Sequence, residues 1–122
     1  MDVFGKKMQS RYEYDPADPD IYVDEKYDLK PLKLNAHIIH TPGHSKGSMS
    51  IVIDNEIALV GDAMFGVFGK SIYPPFADNP EILIESWGKL LDTGCSSFLP
   101  GHGKEISREL VEKQYYKHKN DK

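Results

Sequence analysis

The stretch His40-Thr-Pro-Gly-His44-Ser-Lys-Gly-Ser-Met-Ser-Ile-Val-Ile-Asp54 admits three structural readings, and they lead to different folds. In the first, His40 and His44 form an H-x-x-x-H pair on a helix that grips a metal. Pro42 and Gly43 lie between them, and an interior proline costs a helix about 3 kcal/mol through a lost hydrogen bond and a ring clash. That reading is excluded. In the second, Gly43-His44-Ser45-Lys46-Gly47 is a G-x-S-x-G elbow with Ser45 as an acyl-transfer nucleophile. The elbow needs a strand, a sharp turn and then a helix, whereas "SMSIVID" alternates and is β-branched, as a strand is. A serine hydrolase is therefore the lesser alternative. In the third, Pro42-Gly43 makes a turn between two strands and presents His44 at a strand end, with Thr41 and Ser45 expected to hydrogen-bond the turn backbone.

Working outward, "LNAHIIHT", "SMSIVID" and "EIALVGD" read as strands, with Asp54-Asn55 as the turn between the last two. "AMFGVFGKSIYPPFAD" is too rich in glycine, proline and aromatics for a regular element. Phe65, Phe68, Tyr73 and Phe76 are expected to cover the core from it. Asn79-Pro80 opens a helix, Asn as N-cap and Pro at the first position, with Leu83, Trp87, Leu90 and Leu91 on one face and Gly94 as its stop. "SSFLP" is a short buried strand and "GHGKEI" a loop. Ser107 caps a last helix in which Leu110, Val111, Gln114, Tyr115 and His118 share a side, although His118 is expected at the surface.

Residues 1–31 differ in kind. "SRYEYDPADPDIYVDEKYDLKP" keeps no sustained period and is read as an extended acidic arm, with a short strand at Ile21-Tyr22-Val23. Its carboxylates lack the central glycine and closing glutamate spacing of a calcium loop.

The bulk properties bound the function. A chain of 122 residues with 39% hydrophobic and 28% charged residues is expected to form one globular domain. A net charge of -4 offers no general attraction to nucleic acid or anionic lipid. The C-terminal lysines suit a helix end. Cys95 is the only cysteine, so neither an internal disulfide nor a cysteine zinc cluster is available. No apolar run resembles a signal peptide or is long enough to span a bilayer. The expectation is a cytoplasmic protein with neither nucleic-acid nor membrane partners.

Three side chains share one setting. His44 follows a strand and a glycine, Asp62 follows "IALVG", and His102 follows "SFLPG". Strand ends hold ligands rigidly while loops leave room for substrate, and zinc or iron accepts His and Asp. Taken together the three favour a metal site. His37 and His40, inside a strand, are read as structural.

"HTPGHSKGSMSIVI", "IALVGDAMFG" and "FLPGHG", in this order and with these gaps, resemble the C-terminal half of the metallo-β-lactamase superfamily over roughly residues 32–118. The resemblance implies an α/β (α+β) fold: half of an αββα sandwich, one mainly antiparallel sheet with two helices packed on one face. It implies zinc, iron or manganese, with His44 on a first ion, Asp62 bridging as the catalytic carboxylate, and His102 on a second. Metal-activated water would attack an ester, thioester, lactone or phosphoester of a small-molecule substrate. The family's H-x-H-x-D-H signature, which supplies most remaining ligands, is absent from residues 1–122. One chain is thus expected to be weakly active or inactive, holding one ion weakly or none. One or two ions are expected if a partner completes the site, either a second copy in a homodimer, with the arm exchanged, or a chain carrying the N-terminal half. The rival expectation is a non-catalytic metal-binding or assembly module.

Overall fold

A computed structural model describes residues 25–33 and 35–120. Strands β1 (Lys26–Asp28), β2 (Ala36–His40), β3 (Met49–Ile53), β4 (Ile57–Gly61), β5 (Ser97–Pro100) and β6 (Ile106–Ser107) lie in sequence order in one sheet. Every neighbouring pair is antiparallel except β4–β5, which is parallel. Two helices, α1 (Pro80–Asp92) and α2 (Arg108–Asn120), complete the mixed architecture expected from the sequence. A three-residue 3-10 turn, Lys30–Leu32, links β1 to β2. Residues 26–28, ahead of Leu32, thus already belong to the sheet. The suggested strand at Ile21-Tyr22-Val23 and the acidic residues before Glu25 lie outside the described residues.

Local chemistry accounts for the elements. Asp54 and Asn55 both take positive φ, so a tight turn closes β3 onto β4, with Glu56 N–H donating to the Ile53 carbonyl at 3.0 Å. Asn79 caps α1, its side chain accepting from Ile82 N–H at 3.2 Å, and Pro80 takes the first helical position. Leu83, Trp87, Leu90 and Leu91 are buried on one face of α1, as their spacing predicts. Ser107 accepts from Leu110 N–H at 3.2 Å and so caps α2. It also belongs to β6, so "GHGKEI" is a loop only until its last residue.

The two faces of the sheet meet different surroundings. Val52, Ala58, Val60 and Phe98 are buried with Trp87, Leu83, Leu90 and Val111 from the helices. On the other face the register sets Tyr27, Ile38, Ile51, Leu59 and Leu99 side by side across five strands. All five are only half-buried. None of the described helices is long and apolar enough to cross a membrane.

Two expectations about packing are corrected. His118 is not a free surface residue: its ring lies 5.7 Å from the Trp87 ring and 5.2 Å from that of Tyr73. Of the four aromatics expected to cover the core from the 62–79 loop, Tyr73 packs against it whereas Phe68 and Phe76 turn outward. Ala63, Met64, Ile72 and Pro74 fill the core side of the loop, Tyr73 stands edge-on to Trp87, and Phe68 and Phe76 are 53% and 64% exposed. Burial pushes the Tyr73 phenol above its ordinary pKa.

Candidate metal centre

Strand direction explains why residues far apart in sequence meet. Because β2–β3 and β3–β4 are antiparallel and β4–β5 is parallel, β2, β4 and β5 all run the same way. Their C-terminal ends lie at one edge of the sheet, and His44, Asp62 and His102 each follow one of those ends.

Each ligand loop is held by backbone geometry. Gly43 has φ of +134° and lies against α1 so closely that a Cβ there would overlap the Leu83 backbone. Gly61, with φ of +55°, ends β4 where its register with β5 shifts, and its carbonyl accepts from Gly101 N–H at 2.8 Å. That bond sets the residues after the two parallel strands side by side. A Cβ at Gly101 would approach Asp62 Oδ1 to 3.2 Å, so the position suits glycine.

Helix α1 then ties the loops to the core. Ser86 Oγ donates to the Pro42 carbonyl at 2.7 Å, Asn79 N–H to the Gly43 carbonyl at 2.9 Å, and Trp87 Nε1–H to the Ala63 carbonyl at 2.7 Å. These are the residues beside His44 and Asp62. The roles of Ser86 and Trp87 were not foreseen. Trp87 reads as core from its helical spacing, and nothing in the sequence pairs its indole N–H with Ala63.

Asp62 is the hub. Its Oδ2 lies 3.5 Å from His44 Nε2 and its Oδ1 lies 3.0 Å from His102 Nδ1. His44 Nδ1 lies 2.7 Å from the Phe76 carbonyl, which only accepts, so Nδ1 carries the hydrogen. The Nε2 lone pair of a neutral His44 then faces a carboxylate oxygen. Two acceptors at that distance repel unless a positive centre, a proton or a metal cation, lies between them. A backbone carbonyl fixing the outer nitrogen is the support commonly found behind a metal-ligating histidine.

The spacing can be tested against zinc. Two ligands of a tetrahedral ion, each about 2.0–2.1 Å from it, lie about 3.3 Å apart. The two nitrogen–oxygen separations bracket that edge. The histidines meet different oxygens, however, and among the described residues no three of His, Cys, Asp and Glu are grouped to hold one ion. The donors fit a shared carboxylate with one imidazole at each oxygen, and fall short of a closed cage.

The remaining sequence candidates sort clearly. Ser45 is not an elbow nucleophile. Its Oγ lies 2.7 Å from Ser48 Oγ, Gly47 leads into β3 rather than a helix, and the His40 and His44 rings face Lys46, Phe76 and Asp62. His40 donates from Nε2 to the Lys46 carbonyl at 2.7 Å, and its Nδ1 is 3.6 Å from Glu25. Thr41 does not bond the turn backbone: its buried hydroxyl pairs with Ser50 Oγ at 2.8 Å. His37 stays within β2, where burial and then the Lys26 charge lower its pKa against a smaller opposing pull from Asp28.

A search with protein-family models finds none that matches the chain. The beta-lactamase-like protein 2 homolog of Drosophila melanogaster is 26% identical over 89 residues, covering 72% of this chain and 29% of that protein. An archaeal metallo-β-lactamase superfamily protein from Sulfolobus tokodaii superposes with a TM-score of 0.60 at 24% identity, covering 80% of this chain and 38% of that one. The fold is that of the metallo-β-lactamase superfamily. The metallo-β-lactamase FIM-1 from Pseudomonas aeruginosa, solved in a mono-zinc form, shares this metallo-β-lactamase fold with a TM-score of 0.61 at 19% identity, over 95% of this chain and 54% of that one. The chain therefore spans only part of each relative, about three tenths of the fly protein.

Proposed function

We propose that this chain belongs to the metallo-β-lactamase superfamily and carries part of a metal-dependent hydrolase site, with His44, Asp62 and His102 as ligands. The observation that carries the reading is that Asp62 turns its two carboxylate oxygens to two different imidazoles, at 3.5 and 3.0 Å. The mono-zinc form of FIM-1 supports zinc as the ion to try first. The chemistry such an ion supplies is Lewis-acid polarisation of a carbonyl or phosphoryl oxygen and acidification of water. Hydrolysis adds water across the scissile ester, thioester, lactone or phosphoester bond, giving an acid and an alcohol or thiol.

The chain's own groups have definable parts. Asp62, 39% exposed, offers one oxygen to each imidazole and faces solvent where a substrate arrives. The Phe76 carbonyl keeps the proton of His44 on Nδ1, so Nε2 remains a donor to a cation. His102 is more open, at 59% exposure.

Among the described residues each candidate ion position has one histidine and the shared carboxylate, whereas a catalytic zinc usually takes three protein ligands. The reading therefore includes a partner that adds ligands and covers the open sheet face, either a second copy or a chain with the first-half signature. That open face and the incomplete ligand set also favour the second reading, an assembly module without turnover. Metal content per chain, followed by hydrolysis of generic ester and phosphodiester substrates with zinc or manganese, separates the two. Uptake and turnover that Asp62→Ala and His102→Ala both abolish support the hydrolase. Uptake without turnover supports the module, and no uptake at all ends the metal reading.

A further inference from the structure

The 62–79 loop exposes apolar groups in a way that core covering does not explain. Val67, Phe68 and Phe76 are 57%, 53% and 64% exposed, and they are three of the six large hydrophobic residues exposed among the described ones. Scattered exposed apolar residues are ordinary, but a group of them beside a polar site is the mark of a ligand surface. Phenylalanine rings of the loop flank both candidate histidines. The Phe65 ring stacks on His102 at 4.7 Å and 22°, and Phe68 stacks in turn on Phe65 at 6.4 Å and 8°. Across Asp62, the Phe76 ring stands edge-on to His44 at 6.2 Å.

The His102 side of this aromatic shelf is held firmly. Gly66 N–H donates to the His102 carbonyl at 2.9 Å, Lys104 N–H returns to the Gly66 carbonyl at 3.0 Å, and Phe65 N–H reaches the Ile72 carbonyl at 2.8 Å. A Cβ at Gly66 would overlap the Lys104 backbone, so the Phe65–Phe68 turn is pinned against the His102 loop. It is also separate from the open sheet face, whose apolar row lies on the strands rather than beyond their ends.

We propose that Phe65, Phe68 and Phe76 bind an aromatic group of the substrate, so that the site takes an aryl or arylalkyl carboxylic ester or thioester with its acyl carbon beside Asp62. The inference rests on the hydrolase reading and names its substrate class. Planar rings stack on planar rings with a preference that aliphatic chains of equal area do not match.

The test uses neutral, unreactive stand-ins for the ester, N-methyl-2-naphthylacetamide and N-methylacetamide, titrated into the full chain with and without zinc and followed by amide NMR. The expected result is that the naphthyl compound binds at least tenfold more tightly, shifting the amides of Phe65, Phe68 and Phe76. Phe68→Ala should remove about tenfold of that affinity, and Phe68→Trp should restore it. Equal affinity for the two amides, or no loss in Phe68→Ala, overturns the proposal. So does a dimer that Phe68→Ala dissociates in sedimentation, because the shelf would then be an interface. Zinc uptake, measured on the same samples, scores the hydrolase reading separately: aryl preference without uptake leaves the shelf and removes the metal.

Discussion

The two faces of the sheet carry similar side chains and have different fates. On one, Val52, Ala58, Val60 and Phe98 lie fully buried beneath α1 and α2. On the other, Ile38, Ile51, Leu59 and Leu99 stand in register and keep part of their surface in water. Alternation along each strand produces both rows, and only the helices distinguish them. The covered face holds the fold together and, through Ser86, Asn79 and Trp87, holds the loops that carry His44 and Asp62. Among the described residues, the half-buried face meets neither helix.

The largest effect should come from the covered side. Trp87→Ala removes a fully buried ring and also leaves the Ala63 carbonyl without its indole donor, which should cost about 3–5 kcal/mol in urea unfolding. A melting temperature equal to that of the parent would show that α1 does not bind the sheet by this face. A change of similar size in side-chain character on the other face should have an opposite profile. Ile51→Lys should leave unfolding within about 1 kcal/mol of the parent and shift sedimentation towards monomer. A loss of several kcal/mol without any shift in sedimentation would mean that the chain itself covers this face and that the contrast between the two faces is wrong.

The smallest effect belongs to His37, which lies opposite Val52 at the edge of the covered side. Its pKa is lowered, mainly by burial, so the folded state prefers the neutral ring. The unfolded chain then binds the proton first, and stability is lost as pH falls through the ordinary histidine value of 6.5. Relative to His37→Gln, the parent should melt slightly lower at pH 5 than at pH 7.5. A difference that is the same at both values would show that the ring is solvated.

Several features were legible in the residues because they depend on neighbours a few positions away. Pro42 and Gly43 forbid a helix through His40 and His44, Asp54-Asn55 suits a turn, Asn79-Pro80 opens a helix, and Leu83, Trp87 and Leu91 recur at its period. Phe68 and Phe76 misled, because an aromatic residue in a loop has the same composition whether it faces the core or the solvent. Which way each points is settled by Met64, Ile72 and Pro74 having already filled the space beneath.

The sequence by itself determined strands β2 to β5, though not the short β1 and β6, together with the helix starts and the three metal-competent side chains at strand ends, since local backbone preference and side-chain period are written in adjacent residues. Only the tertiary structure decided that β2, β4 and β5 run in one direction, that Asp62 turns one oxygen to each histidine, and that the two described helices cover one face of the sheet and not the other. Those outcomes depend on register and packing between segments tens of residues apart, and no local preference encodes them.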